Sequence, residues 1–255
     1  MWRGRLGLVI LTGLGWVNAV TGAGTDVWQT GLNLGATLTE GNAESQQWNL
    51  GVLTEGERPG LGAIRAGLEG HYAENKPRRA ADAAAEDTGR ERVTTMNKAL
   101  GFINVQKELP RHWFAALDLA GLHDDLAEIA YRVTLSPGLG YHLLKTETRT
   151  LLLETGPAYI WDKVAGAREE YLAWRLAQRF EQQVSESARI WQSLEYLPKA
   201  DDFSAALLNA ELGAEAALNQ RLNLRLVVQH RYDSEPGANL EKNDLIVLAG
   251  IGWTL

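Results

Sequence analysis

The chain has 255 residues, with 25 Lys and Arg against 32 Asp and Glu, a formal net charge of -7, and no cysteine. This excludes disulfides, thiol catalysis and Cys-ligated metal. The acidic balance argues against a nucleic-acid binder, which would carry a basic patch. Nine Trp and seven Tyr against four Phe, with 26 Gly, is not the balance of an ordinary soluble core. Trp and Tyr favour boundaries between apolar and wet surroundings.

Residues 1–25 carry no acid. Arg3 and Arg5 precede an apolar stretch, Leu6 to Val17, and small residues follow at Val17-Asn18-Ala19 and Thr21-Gly22-Ala23. This order predicts a secretory signal peptide, residues 1–23, cleaved after Ala19 or Ala23. A membrane anchor is the weaker reading, because a spanning helix needs about 20 apolar residues. Residues 24–255 then form a single exported domain.

The rest of the chain alternates with period two, the mark of strands whose two faces differ in chemistry. In 27–39, Trp28, Thr30, Leu32, Leu34, Ala36 and Leu38 oppose Gln29, Gly31, Asn33, Gly35, Thr37 and Thr39. In 221–231, Leu222, Leu224, Leu226 and Val228 oppose Asn223, Arg225, Gln229 and Arg231. Twelve such strands are expected: 27–39, 44–56, 61–73, 92–107, 112–123, 129–143, 148–160, 168–181, 187–197, 203–217, 221–233 and 243–255. Alternation is poor in 92–107 and 187–197. In the latter, Gln192 and Glu195 take opposite parities, which predicts a bulge.

The connectors Arg58-Pro59-Gly60, Leu109-Pro110-Arg111, Lys145-Thr146-Glu147, 183–186 and Asn219-Gln220 are short. Between them fall longer ones at 74–91, 123–128, 161–167, 198–202 and 234–242, with a tight hairpin at 40–43. Short turns at one end and longer loops at the other are the pattern of an outer-membrane barrel. A secreted sandwich also alternates, but its strands centre near roughly 5–6 residues, whereas many here reach twelve or more. A soluble lipocalin-like barrel with an apolar interior would leave the aromatic positions unexplained. Trp28, Trp113, Tyr141 and Trp253 fall at the expected periplasmic strand ends. Tyr72, Tyr131, Tyr159, Trp161, Tyr171, Tyr196 and Tyr232 fall at the outer ends. Together they make two interfacial girdles. Trp48, Trp174 and Trp191 do not fit them clearly. The expected fold is all-β: a closed antiparallel transmembrane barrel of about twelve strands, in the cell outer membrane.

At this point the residues resemble a known family. The stretches GLNLGATLTEGNAESQQWNLGVLTEGER (31–58), YRVTLSPGLGYHLLKTETRTLLLETGPAYI (131–160) and HRYDSEPGANLEKNDLIVLAGIGWTL (230–255) resemble the bacterial salt-induced outer-membrane protein family, a domain of unknown function. The specific parts are Gly41-Asn42, Tyr131-Arg132, Gly138-x-Gly140-Tyr141, Glu154-x-Gly156-Pro157 and Leu240-Glu241-Lys242 to Asp244. The resemblance implies an outer-membrane barrel linked by name to salt stress, and no catalytic residues. Barrel-assembly signals usually finish in Phe or Trp; here Trp253 and Leu255 hold the alternate positions.

The inward parity supplies Asn33, Asn49, Glu55, Arg65, Glu69, Lys98, Asp118, Arg132, Glu154, Arg175, Arg179, Glu211, Glu215, Arg225 and Arg231. Both signs permit pairing across the lumen, and a twelve-strand interior lies between a filled barrel and an open porin. Either the charges plug it, or they tune a narrow path for ions or small polar solutes. The alternative is an outer-membrane hydrolase of lipase or protease type, which would need a Ser/His pair and an orienting group. His71, His112, His123, His142 and His230 lie on different strands and form no motif. His123-Asp124-Asp125 with Glu128 reads as an acidic loop rather than a metal site. The expected protein is a non-enzymatic monomer without metal or cofactor. Its expected partners are outer-membrane lipid and, through the last strand, the barrel-assembly machinery.

Overall fold

A computed structural model describes residues 9–10, 28–39, 44–76, 92–219, 221–237 and 240–254. The expected cleavage site, the hairpin at 40–43, most of the loop 74–91 and Leu255 lie outside the described residues. Twelve strands form the barrel: β2 (Gln29–Thr39), β3 (Glu44–Arg58), β4 (Gly62–Lys76), β5 (Val93–Glu108), β6 (Trp113–Asp124), β7 (Ile129–Lys145), β8 (Arg149–Val164), β9 (Ala167–Ser185), β10 (Ala188–Pro198), β11 (Ala206–Ala217), β12 (Leu222–Asp233) and β13 (Asn243–Thr254). Each pairs antiparallel with the next, and β13 returns to β2, so the sheet closes on itself. Among the described residues no helix is long and apolar enough to cross a membrane.

The closing seam is short. β13 pairs with β2 only from Ile251–Leu34 to Thr254–Gly31. Beyond it, a two-residue strand, β1 (Val9–Ile10), takes the same edge of β2 opposite Thr37 and Ala36. These residues belong to the apolar stretch read as signal peptide.

Register fixes which side chains share a face, because successive side chains point to opposite sides of a strand. The outward set is apolar and bare: Leu68 is 68% exposed and Leu212 58%, with Leu34, Leu50, Leu139, Leu172 and Leu224 alongside. The inward set is polar, but bulky rings interrupt it where a neighbouring strand offers glycine. Phe102 lies over Gly67, Phe114 over Gly140 and Trp191 over Gly213. Inward Leu100 and Phe102 account for the poor alternation of β5.

Three expectations are corrected. The connector 161–167 is not a long loop. β8 and β9 continue to a two-residue turn, Ala165-Gly166, with φ of 50° and 81°, the double positive φ that suits a tight hairpin. The connector 123–128 is likewise a compact turn, in which the backbone N–H of Ala127 donates to Asp124. Third, Gln192 and Glu195 are not separated by a bulge. Register runs unbroken from Arg189 to Tyr196, and the shift falls at Ala188/Arg189. Gln192 therefore sits on the outer face, between Phe180 and Leu212.

The ring-over-glycine packing makes a direct prediction. A Cβ on Gly213 would lie 2.0 Å from the ring of Trp191, which is 1% exposed and has no room to retreat. Gly213→Ala should destabilise the refolded barrel by about 1–3 kcal/mol, read by urea unfolding. Gly121→Ala, with nothing within 4 Å of the new methyl, should stay within roughly 0.5 kcal/mol of the parent.

Candidate functional site

All the charged residues expected in the lumen have the inward parity. On one side the cross-strand chain runs Glu55–Arg65–Asn104–Asp118; Glu69 and Lys98 follow the same faces of β4 and β5. Arg132 pairs with Asp162, Glu154 with Ala177, Arg175 with Gly156 and Arg179 with Leu152. Glu215 stands opposite Arg225, Glu211 opposite Gln229 and Arg231 opposite Asn209. Asn33 and Asn49 lie on the inward faces of β2 and β3.

These residues gather into ionic groups at different depths. Toward the short-turn end, Arg65 Nε donates to Glu55 at 2.7 Å, Arg179 Nε to Glu181 at 2.5 Å, and Arg189 Nη2 to Glu215 at 3.4 Å. Arg65 on β4 lies within electrostatic reach of Arg179 and Glu181 on the far wall. Trp191 Nε1 donates to Glu211 at 2.6 Å. The Arg225 guanidinium stacks on the Trp191 ring at 4.5 Å, with Arg189 at 5.5 Å. Such cation–π contacts strengthen when desolvated.

The central group is built on Arg175. Its Nε donates to Glu195 at 2.6 Å, and its Nη1 to Glu154 at 2.8 Å and Asp118 at 3.2 Å. Asp118 lies three strands away on β6. From Arg175 the line runs to its partner Gly156, then across a gap in the β7–β8 ladder to the adjacent Gly138, whose partner Ala116 is next to Asp118 on the same face. A Cβ on Gly156 would fall 2.7 Å from the Gly138 Cα and 2.2 Å from the Pro137 carbonyl oxygen. The two glycines thus let the β7 and β8 backbones approach closely beneath the line from Arg175 to Asp118. Amides complete the carboxylate shells: Asn104 donates to Asp118 at 2.7 Å, Gln106 to Glu154 at 2.9 Å and Asn209 to Glu195 at 2.9 Å.

Toward the long-loop end, Arg132 on β7 holds Asp162 and Asp233, each at 3.1 Å. Asp233 ends β12, five strands round the twelve-strand ring, so this bond crosses the lumen. Lys98 pairs with Asp124 at 3.0 Å. His71 bonds Asn49 at 2.8 Å and Glu69 at 3.2 Å. Below Arg132 the inner wall turns apolar, with Ala158, Ile160, Ala173 and Leu197 buried together. Between this cluster and the loops lies a cavity of about 290 Å³, lined by Arg132, Asp162, Glu169, Lys199, Asp233 and Glu235 among others. Lys199, in the β10–β11 loop, bridges Glu169 and Glu235 at 2.8 and 2.9 Å. Burial alone would pull its pKa down, but the bonds to the two carboxylates outweigh burial and raise it.

Tyr171 is a correction to the expected girdle. It shares the parity of Arg175 and Arg179, faces inward, packs against the Ile160 cluster and carries Lys199 Nζ 4.6 Å above its ring. The other girdle residues, Trp28, Tyr72, Trp113, Tyr131, Tyr141, Tyr159, Trp161, Tyr196, Tyr232 and Trp253, are on the outer parity. Trp48 stands directly opposite Tyr72 and joins them. Trp113 and Tyr141 meet edge-on at 5.0 Å, Tyr159 and Trp161 at 4.6 Å.

Sequence reasoning missed Asp124, Asp162, Glu181, Arg189 and Glu195. Each lies an even number of residues from a charge already assigned inward on its own strand, or from its cross-strand partner. The parity rule, carried to the strand ends, would have found them. His123 and Asp124 prove to be on opposite faces: His123 pairs outside with Asp125 at 3.1 Å, Asp124 inside with Lys98. Among the described residues no group of His, Asp and Glu is arranged to hold a metal.

Removing one member of a buried ionic group leaves the others uncompensated. Arg175→Gln strands three carboxylates and should cost about 3–5 kcal/mol, measured by urea unfolding of the refolded barrel. A loss below about 1 kcal/mol would show that the three carboxylates do not depend on this guanidinium.

The chain resembles a structure titled "NanC porin structure in rhombohedral crystal form" at 9% identity, covering 89% of this chain and 98% of that one, with a TM-score of 0.49. It resembles a KdgM porin in complex with disordered oligogalacturonate at 7% identity, covering 90% and 99%, TM-score 0.45. It resembles the translocator domain of autotransporter NalP from Neisseria meningitidis at 12% identity, covering 89% and 86%, TM-score 0.46. Identities this low assign this chain no solute. No curated protein matches it in sequence. The profile of one family spans residues 32–254, nearly the whole barrel, and the chain belongs to that family, described as "Protein of unknown function, DUF481".

Proposed function

We propose that this chain is a non-enzymatic outer-membrane barrel whose lumen is a narrow, wet conduit for ions and small polar solutes. Support for the membrane comes from the outer face. A belt of bare Leu, Val and Ile encircles the barrel, far beyond the few hundred Å² of apolar patch that a soluble monomer carries. Aromatic residues fall at both ends of that belt. In hydrocarbon every backbone polar group must pair within the protein, which a closed sheet achieves. Export through residues 1–23, monomeric insertion through the last strand with the barrel-assembly machinery, and service under salt or osmotic stress complete the proposal.

The observation that carries the conduit reading is the state of the lumen charges. Arg132 and Arg175 bridge strands several apart, and part of the network stays wet: Arg65 keeps 23% of its side-chain surface exposed, Asp118 22% and Glu195 31%, against 13% for Arg175 and 5% for Glu154. Here water reaches the same groups that narrow the path. Ion pairs bridging the lumen leave room for small ions and exclude the large solutes of an open porin.

The test is planar-bilayer recording of the refolded protein. Small, discrete conductance steps are expected. An electrically silent barrel would reduce the protein to a structural role, and steps as large as those of a general porin would contradict the bridged lumen.

A further inference from the structure

We infer that the conduit passes cations in preference to anions, and that the Arg175 group is where it chooses. This rests on the conduit reading and names the class of solute it takes. In the lumen's centre a single guanidinium answers three carboxylates, Asp118, Glu154 and Glu195. Asn104, Gln106 and Asn209 are neutral donors and add no positive charge. The group therefore presents two formal negative charges to anything passing it.

A second observation points the same way. Ser136 has the inward parity and stands directly opposite Asp118. It is 2% exposed, and its Oγ has no hydrogen-bond partner. An unsatisfied buried hydroxyl costs free energy, and its free lone pairs suit a hard cation, which takes oxygen ligands. Beside it the β7 and β8 backbones press together, so that a Cβ on Gly156 would fall 2.2 Å from the Pro137 carbonyl oxygen.

The neighbouring groups do not reverse the sign. Glu55 pairs with Arg65, Arg179 with Glu181, Lys98 with Asp124 and Arg189 with Glu215, the last two carboxylates also lying within electrostatic reach of Arg231 and Arg225. At the long-loop mouth Arg132 meets two carboxylates and Lys199 meets two more. Arg225 and Arg231 add positive charge on β12, facing Glu211 and Glu215, and Asp124 and Asp244, respectively. A cation entering from the loops thus meets excess carboxylate at the mouth and again at the centre. A low-dielectric wall focuses such a field, and rings of Asp and Glu are how cation pathways select.

The experiment is the reversal potential of the refolded protein in a planar bilayer under a KCl gradient. The expected sign is that of potassium, with a permeability ratio over chloride of about 3 or more. Glu195→Gln, at the most exposed of the three carboxylates, should lower that ratio toward one while the steps persist. Discrete steps with the chloride sign, or a ratio that Glu195→Gln leaves unchanged, overturn the inference and leave the conduit standing. Silence overturns both.

Discussion

Every strand of this barrel depends on one constraint: the backbone of each strand must be paired on both edges. β2 to β13 meet it by closing a ring, complete except along the short β13–β2 seam, where only Ile251–Thr254 pair with β2. Around that ring the strands alternate, and one face of it can be uniformly apolar. That face holds Leu34, Leu68, Leu139, Leu172, Leu212 and Leu224, each more than half exposed. The core that folding would normally build from such residues is missing, and lipid takes its place. Two positions show the same constraint locally. Pro137 and Pro157 lack an N–H, and both lie on the outer parity of adjacent strands, where the ladder between β7 and β8 has a gap.

The inside must then be held together by polar forces. The lumen holds too many long charged side chains to leave them apart and is too polar to be an ordinary core. Charge-assisted hydrogen bonds settle it, since they are stronger than neutral ones and extend across the space. The bonds are placed where glycine makes room. Gly138 and Gly156 let Arg175 reach β6, while Gly67, Gly140 and Gly213 accept Phe102, Phe114 and Trp191. The small-residue motifs around Gly138 and Gly156 thus acquire a physical reason: they are the floor beneath the central guanidinium. One cation shared among three carboxylates is both a brace and a local charge imbalance.

Much of this was legible in the residues. Period two located all twelve strands within a few positions, and parity alone put Arg132, Arg175 and Arg225 on the wet side. The reason is that alternation is a strictly local consequence of strand geometry. What failed was information that is not local. Tyr171 was assigned to a girdle by its place at an outer strand end, when its parity with Arg175 placed it inside. The segment 161–167 was read as a loop from its charges, but the hairpin extends past the apolar belt, where charge on a strand costs nothing. Gln192 looked like a break in pattern and is an outward polar residue on an unbroken strand. The clustering of Arg175 with Asp118 depends on strands three apart and on two intervening glycines, and no spacing within one segment reports it.

The central claim is the opposition of an oily outside and a wet inside. The chain has no cysteine, so single cysteines can be placed without background. Labelling Leu208→Cys, Asn209→Cys, Ala210→Cys, Glu211→Cys and Leu212→Cys of β11 in turn with a fluorophore, in vesicles, reads the opposition position by position. The account predicts quenching by nitroxide lipid tails at 208, 210 and 212, and by aqueous iodide at 209 and 211. Uniform aqueous quenching at all five positions, or the reverse alternation, would contradict it.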